Sequence, residues 1–269
     1  MHPTLFEIPI SFFGRNLAVH TYGFFIAVGF VTGVWLAMRE ARKVGEDPEK
    51  VLDAAFWLLV AGLLGSRVIF IFVNWDDYAR EPLAMLRIWE GGLVWYGGFL
   101  GAVLAAWIYV RRHRMNFWRL ADIVIPSAPL GHAFGRLGCF SAGCCWGREC
   151  AADFALRVQF THADTLAPRH VPIHPVQLYE AFGETIIFFA LVLMRGRKRF
   201  DGQVMLMYVT LYPILRSIVE IFRGDKARGF IVEGILSTSQ FISILVLAGA
   251  VVAQVVLVRR ARARAADGA

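Results

Sequence analysis

The stretch LGHAFGRLGCFSAGCCWGR, residues 130–148, decides how the rest of the chain is interpreted. It begins in an apolar segment and ends in a polar loop, and it holds Arg136, five glycines and three of the four cysteines. A charged side chain at membrane depth is costly and by default indicates a functional site. Glycines additionally permit close backbone approach. The stretch therefore predicts a polar site within a membrane protein, and neither a soluble core nor a plain lipid-facing helix.

The composition supports a membrane protein. Hydrophobic residues make up 57% of the chain, charged residues 18%, and the mean hydropathy is +0.54. Several apolar runs reach the ~20 residues that cross a bilayer. The net charge of +7 does not indicate nucleic-acid binding, because the basic residues form short clusters between apolar runs. No cleavable signal peptide is expected, since the first residues are not basic.

We predict an all-α fold with seven transmembrane helices in a single membrane domain, residues 1–269. The predicted spans are residues 20–38, 52–73, 92–110, 121–140, 175–194, 203–222 and 235–258. Residues 1–18 are expected to form an amphipathic lead-in. The loop after the fourth span, about 141–173, is too long for a simple connection and predicts a small external head.

The basic clusters predict the orientation. Strongly cationic loops follow spans one, three, five and seven, whereas mixed loops follow spans two, four and six. Positive loops stay in the cytoplasm, so the N-terminus is predicted outside and the C-terminus inside.

Polar residues recur at the outer ends of four predicted spans. Arg67 lies in span two, Arg136 in span four, and HPVQLYE (His174–Glu180) opens span five. With Arg216 of the sixth predicted span, Arg67 and Arg136 make three arginines at one depth. Such a group needs an anion, and a phospholipid head group is the nearest one available.

The fourth place is YPILRSIVEIFR, which closes span six. Its residues Tyr212, Arg216, Glu220 and Arg223 are spaced by four, four and three, so they share one helical face. The alternative interpretation is a set of structural ion pairs, for example Arg216 with Glu220.

The run GGLVWYGGFLGA, residues 91–102, opens span three. The spacing of Gly97 and Gly101 favours close helix packing. Tyr96 lies between glycines at the outer rim, where its hydroxyl could reach a cavity or could anchor the membrane interface.

The cysteines leave three alternatives open. Cys139, Cys144, Cys145 and Cys150 lie in one short segment that is predicted to be external, where disulfides persist. A bridge between the adjacent Cys144 and Cys145 is disfavoured, so a partner would be Cys139 or Cys150. Metal binding is less favoured because no paired CxxC pattern exists. A catalytic thiol is the third alternative.

Together these segments resemble the prolipoprotein diacylglyceryl transferase family. The resemblance is carried by TYGFFIAVGF, WEGGLVWYGG, GRLGCFSAGCCWGR, HPVQLYE and YPILRSIVEIFRGD, which start at residues 21, 89, 135, 174 and 212. These motifs occur in the family's order and span nearly the whole chain.

The resemblance implies a reaction and its partners. The diacylglyceryl group of phosphatidylglycerol would move to the lipobox cysteine thiol of a prolipoprotein signal peptide, and glycerol phosphate would leave. This is the first step of bacterial lipoprotein maturation. It implies a multi-pass protein of the bacterial cytoplasmic (inner) membrane, surrounded by membrane lipids. No cofactor, metal or nucleic acid is implied.

The resemblance also implies roles for individual residues. The expected catalytic residues are Arg136, Arg216, Tyr96 and His174. The expected phosphatidylglycerol-binding residues are Arg136, Arg216, Tyr22, Tyr212, Gly147 and Glu220. The two arginines would hold the phosphate as charge develops in the transition state.

This sequence departs from the family pattern at the position of the histidine expected to act as general base, and at two positions of the GRxG signature. The family's histidine in the third-span motif is Tyr96 here, the asparagine after GRxG is Cys139, and a later glutamate is Cys144. The GCFxxGCCxG form resembles a branch of the family. A tyrosine with a pKa near ~10 would need a neighbouring cation to act as base. His174 and His132 are the alternatives, and His132 could equally be an interhelical structural histidine.

Two further functions are compatible with these features. A paralogue could transfer a lipid moiety to another thiol or amine, which the changed signature would fit. A transporter or lipid-binding membrane protein could use the same anion pocket, but the sequence shows no inverted repeat. A redox role for the cysteines is the weakest alternative, since no CxxC motif exists.

Overall fold

The computed structural model describes residues 3–12, 15–87, 91–225, 229–232 and 234–267. Trp89 and Glu90 of the WEGG motif lie outside the described residues, as do residues 226–228 of the polar loop after the sixth predicted span. The chain divides into two compact units. The smaller unit is Ala37–Leu120, and the larger unit combines Met1–Leu36 with Ala121–Ala269. Arg136, His174 and Arg216 therefore belong to the larger unit, whereas Arg67 and Tyr96 belong to the smaller one.

Helices dominate the described part of the chain, as the all-α prediction requires. They are α1 (Thr21–Lys43), α2 (Pro48–Val73), α3 (Trp75–Arg80), α4 (Trp95–Arg112), α5 (Phe117–Val124), α6 (Ser127–Ala142), α7 (Val176–Arg195), α8 (Gln203–Ile221) and α9 (Thr238–Asp267). A short 3₁₀ helix covers Pro82–Leu86.

Two small antiparallel sheets accompany the helices. Strand β1 (Thr4–Phe12) pairs with β2 (Arg15–His20), and β3 (Phe230–Val232) pairs with β4 (Leu236–Ser237). The predicted amphipathic lead-in is therefore a β-hairpin that runs directly into α1.

Five helices, α1, α2, α7, α8 and α9, are long and apolar enough to cross a membrane. Their surfaces are mostly uncovered by protein: only 11% of the apolar window of α2 is buried. Such large exposed apolar surfaces suit lipid and would be unfavourable in water. The chain is thus a multi-pass membrane protein. The count of seven spans and the orientation stay predictions.

The fourth predicted span, residues 121–140, is wrong as a single helix. α5 ends before Pro126 and α6 begins after it, because proline lacks an N–H and its ring clashes with the carbonyl four residues earlier. The buried Asp122 on α5 accepts a hydrogen bond from Lys198 Nζ at 3.0 Å. It also accepts from two backbone N–H groups at the start of α8. Because the helix is broken at Pro126, α5 is held by the contacts of Asp122 independently of α6.

In the smaller unit, α2 and α4 pack closely through glycines. A Cβ at Gly97 would lie 2.8 Å from Ile69 Cβ, and a Cβ at Gly101 would collide with the Ala61 carbonyl. The close packing expected at Gly97 and Gly101 is present, and α2 is the partner helix.

In the larger unit, α6, α7, α8 and α9 pack against one another in chain order. Ile187, Leu191 and Val204 form a buried apolar cluster between α7 and α8. α1 joins through Ser127 Oγ, which donates a hydrogen bond to the Gly33 carbonyl at 2.7 Å. These helices bring the polar residues of the fourth, fifth and sixth predicted spans into one unit.

The long loop between α6 and α7 is folded. Phe160, Ala167 and Ile173 are buried together, and partly buried aromatic side chains pack against them. Val158 and Ile173 exchange two backbone hydrogen bonds of 3.0 Å. The loop therefore has its own small core, as a head would, while its external location stays a prediction.

Candidate active site

The buried carboxylate of Glu180 is the centre of the candidate site. Glu180 Oε1 accepts a hydrogen bond from Arg136 Nη2 at 3.0 Å. Glu180 Oε2 lies 3.7 Å from Arg216 Nη1, and the residue is only 2% exposed. Each arginine thus faces a different oxygen of one carboxylate. α6, α7 and α8 meet at this point, and the two arginines expected to bind phosphate are brought together.

Arg216 has further partners on its other side. Its Nη2 lies 2.7 Å from Glu220 Oε2 and donates a hydrogen bond to Ser239 Oγ at 3.1 Å. The ion pair that the four-residue spacing suggested is therefore present. Glu220 and Ser239 fix the guanidinium on one side, so its remaining donors have a defined direction.

Both arginines retain unused donors. Within the described residues, Arg136 Nε and Arg216 Nη1 are buried and make no hydrogen bond. Buried donors in proteins are nearly always paired, and arginine's planar fork suits the oxygens of a phosphate. An anionic oxygen between the two guanidiniums would satisfy these donors. The geometry is thus suited to holding an anion.

A histidine and a second glutamate extend the cluster. His132 Nδ1 lies 2.5 Å from Glu184 Oε1, and His132 Nε2 lies 3.8 Å from Glu180 Oε1. This matches the interhelical-histidine alternative for His132. Glu184 was missed in the sequence. Its signal is the four-residue spacing from Glu180 in an otherwise apolar helix, which places two carboxylates on one face.

Tyr212 closes one side of the cluster. Its ring meets the His132 ring edge-on, with centroids 5.5 Å apart, and stacks on Tyr208 at 5.7 Å. Tyr212, Arg216 and Glu220 therefore do share one face of α8. Arg223 lies just beyond the end of α8, and its guanidinium makes a bidentate pair with Asp225.

Gly147 fits against the chain entering α7. A Cβ at Gly147 would collide with the His174 carbonyl and lie 2.9 Å from His174 Cβ. On its other side Gly147 bridges Arg223, and the neighbouring Arg148 N–H donates to the Phe222 carbonyl at 2.8 Å. Gly147 thus lets the loop pass between the start of α7 and the end of α8.

The His174 ring sits among aromatic side chains. Its Nδ1 lies 3.2 Å from the Tyr179 hydroxyl, and the Phe154 and Phe222 rings are 4.9 and 5.3 Å away. Burial, followed by the positive charge of Arg148, lowers the pKa of His174 from its usual 6.5. His174 is therefore neutral at pH 7 and able to accept a proton.

Tyr22 packs against α6, close to Arg136 in the sequence of that helix. A Cβ at Gly138 would lie 3.1 Å from both Tyr22 Cα and Tyr22 Cδ2. Gly138 lies two residues beyond Arg136 on α6. The tyrosine is 45% exposed, so part of its ring is available to a ligand.

Tyr96 belongs to the smaller unit, at the start of α4. It is exposed, and neighbouring glycines pack on α2. Its expected catalytic role stays a prediction.

Arg67 needs no anion, and including it among the anion-binding arginines was wrong. Its guanidinium donates hydrogen bonds to five backbone carbonyls within residues 84–92, at 2.7 to 3.2 Å. These contacts satisfy the buried charge with backbone dipoles. Arg67 therefore has a structural role in holding the segment between α3 and α4.

The four cysteines are free thiols, so the expected disulfide is not formed in the structure. The Sγ atoms of Cys139, Cys144 and Cys145 instead lie within 4.8 Å of one another. Cys150 is not part of this group.

Apolar helices that surround a buried cluster of arginines and carboxylates define an integral membrane protein with a polar site among its helices. The model of the prolipoprotein diacylglyceryl transferase family matches residues 9–256. The chain belongs to this family, and it is a transferase.

Curated relatives cover almost the whole chain. Phosphatidylglycerol–prolipoprotein diacylglyceryl transferase 2 of Clostridium perfringens (strain 13 / Type A) is 32% identical over 236 residues, which are 88% of this chain and 90% of the relative. Phosphatidylglycerol–prolipoprotein diacylglyceryl transferase of Legionella pneumophila (strain Corby) is 36% identical over 89% of this chain and 93% of the relative. The enzyme of the same name from Clostridium tetani is 32% identical over 92% of this chain and 94% of the relative.

Proposed function

We propose that this protein transfers the diacylglyceryl group of phosphatidylglycerol to the thiol of the lipobox cysteine in prolipoproteins. Glycerol phosphate is released, and the modified prolipoprotein enters lipoprotein maturation. The observation that carries this proposal is the pair Arg136 and Arg216, held on one buried carboxylate with unused donors. Family membership and the names of the relatives support the substrates.

The arginines act on the leaving group. As the thiolate sulfur bonds to the glyceryl carbon, the bond from that carbon to the phosphate oxygen breaks. The phosphodiester, with one negative charge, becomes a phosphate monoester that carries a second. Arg136 and Arg216 stabilise this developing charge, and Glu180 keeps their guanidiniums in place beforehand.

The acceptor thiol must lose its proton to attack, because its free pKa is ~8.5. Tyr96 is the first candidate for the base, since it occupies the family's histidine position. His174 is the second candidate: its ring is neutral and can accept a proton, but the lowered pKa makes it a weaker base than a free imidazole.

The remaining site residues bind or position the lipid. Tyr22 and Tyr212 offer aromatic surface and hydroxyls beside the arginines. Glu220 orients Arg216, and Gly147 shapes the loop that precedes α7.

The membrane arrangement follows the basic clusters. Seven spans in one membrane domain place the N-terminus outside, the C-terminus in the cytoplasm, and the 141–173 head on the outer face of the bacterial inner membrane. Both substrates are anchored at that surface, so the head is suited to receiving a signal peptide.

The test is an assay with phosphatidylglycerol vesicles and a lipobox peptide, following glycerol phosphate release and peptide mass. The same peptide with serine at the acceptor position is the control. A mass gain of one diacylglyceryl group in the cysteine peptide alone supports the proposal. Head-group release without peptide modification favours a paralogue with another acceptor. Lipid binding without release favours a lipid-binding or transport role.

A further inference from the structure

Three sulfur atoms converge at the end of α6. Cys139 lies in the last turn of the helix, and Cys144 and Cys145 follow the left-handed Gly143 (φ 76°). Cys145 itself has φ 55°, which is uncommon for a non-glycine residue and is often found at functional sites. This second left-handed residue allows two adjacent cysteines to direct their sulfurs towards Cys139. Gln177 Nε2 fixes the turn by donating to the Cys144 carbonyl at 2.7 Å.

The sulfur separations suit a shared metal ion. Zinc–thiolate bonds are about 2.3 Å long, so two sulfurs on one zinc ion are roughly 3.8–4.0 Å apart. The three Sγ atoms already lie within 4.8 Å of one another. Small side-chain adjustments would bring them to that spacing. The sequence disfavoured a metal because CxxC pairs are missing, but a left-handed turn achieves the same convergence.

The surroundings carry the matching charge. Three thiolates and one Zn²⁺ have a net charge of −1. Arg136 and Arg223 are the cations that interact with Cys145. Their positive charges favour an anionic metal–thiolate group in a partly buried site.

Among the described residues, the three sulfurs would leave one position of a tetrahedral metal ion without a protein ligand. Within the described ranges, no fourth cysteine, histidine or carboxylate joins the three sulfurs, and all three cysteines are partly exposed. Structural zinc sites have four protein ligands, whereas catalytic sites have three and leave one position for water or substrate.

We propose that Cys139, Cys144 and Cys145 bind one Zn²⁺ ion whose fourth position takes the acceptor thiol. This inference rests on the proposed function for its second half. On binding, the acceptor S–H bond breaks, its proton passes to the base, and its sulfur becomes a zinc-bound thiolate. That sulfur then bonds to the glyceryl carbon, the carbon–oxygen bond to phosphate breaks, and the neutral thioether leaves the zinc ion. Zinc would thus acidify the acceptor thiol, so that a base weaker than the family's histidine is sufficient.

The first experiment measures metal content of the purified full chain. Protein prepared in detergent with added Zn²⁺ and then desalted should contain about one zinc ion per chain by mass spectrometry. Replacement with Co²⁺ should give a sulfur-to-metal charge-transfer band. Cys145→Ser and Cys139→Ser should lose both signals, while the matched control Cys150→Ser should keep them. Wild-type protein that retains no metal and gives no such band would overturn the inference.

The second experiment tests the open position. Adding the lipobox cysteine peptide should shift the Co²⁺ spectrum, and its serine counterpart should not. Chelation should lower peptide modification about 100-fold or more, and Zn²⁺ should restore it. A spectrum indifferent to the peptide, or full turnover by metal-free protein, would overturn thiol activation. Wild-type protein that binds zinc but never modifies the peptide would contradict the proposed function and not the zinc site, because the first experiment measures zinc binding independently of activity.

Discussion

Arg136 and Glu180 are 44 residues apart in sequence and form a buried ion pair with 3.0 Å between Nη2 and Oε1. The Glu180 side chain is 2% exposed and that of Arg136 is 13% exposed. Removing one partner of such a pair leaves an uncompensated buried charge, which costs about 3–5 kcal/mol. The pair therefore joins α6 to α7 and fixes a guanidinium to which the proposed reaction assigns the leaving phosphate.

Glu180→Gln should reduce turnover about 100-fold, because both arginines lose the charge that positions them. The amide keeps the shape of the side chain, so the protein should still insert into membranes. The measurement is initial rate of peptide modification against phosphatidylglycerol concentration. Glu149→Gln, on the exposed loop, serves as control. Equal rates for the two variants would contradict the positioning role.

Arg136→Ala and Arg216→Ala should each abolish measurable turnover, with losses of about 100-fold or more, since each removes a donor to the leaving phosphate. The lysine variants should recover only part of the rate, because an ammonium cannot bind two oxygens in one plane. Arg157→Ala, a solvent-exposed arginine, should be unaffected. Near-normal activity in either alanine variant would remove the phosphate-binding proposal.

Tyr96→Phe should lower turnover, because the change removes only the hydroxyl. Tyr78→Phe in the same unit is the matched control and should leave the rate unchanged. The rates are compared at saturating phosphatidylglycerol, with protein amounts equalised by quantitative blotting. If Tyr96→Phe proceeds at the wild-type rate, the base assignment passes to His174, and His174→Ala becomes the deciding variant.

Gly147→Ala should destabilise the protein by roughly 1–3 kcal/mol, because its Cβ would lie 2.9 Å from His174 Cβ. Gly196→Ala is the comparison, since a Cβ there meets nothing within 4 Å and its φ of −69° suits alanine. Thermal unfolding in detergent and KM for phosphatidylglycerol report the effect. Similar behaviour of both variants would show that the loop shifts freely.

Alkylation should label all four cysteines without reduction, once the protein is denatured in chelator. This follows from the free thiols of the structure and reverses the disulfide expectation from the sequence. The readout is intact mass before and after reduction, with a known disulfide protein treated in parallel. A protected pair that includes Cys139, Cys144 or Cys145 would exclude the zinc site as well.

The sequence predicted elements whose signal is local. The start and end of α7 and α8 follow from apolar runs between polar motifs. The pairing of Arg216 with Glu220 follows from their four-residue spacing on one helix. Pro126 is a helix-breaking residue, but the apolar run continues on both sides of it, so hydropathy alone predicts one span through it.

Other features depend on contacts between distant segments. Arg67 resembled an anion-binding arginine because its backbone partners come from a loop, and no side-chain pattern marks carbonyl acceptors. The pairing of His132 with Glu184 depends on how α6 and α7 are rotated about their axes. The sulfur cluster depends on the left-handed conformation of Cys145, which its residue type does not indicate.

The distribution of buried charge over three helices has a consequence for biogenesis. α6, α7 and α8 each carry ionisable residues whose partners lie on another of these helices, and a single charge near a helix centre costs about 2.5–3.5 kcal/mol on insertion. Of the three, α7 and α8 are long and apolar enough to span a membrane, and each should insert less favourably alone than with its partner. During synthesis, α7 should therefore enter the lipid only after α8 has emerged, so that Arg216 can pair with Glu180.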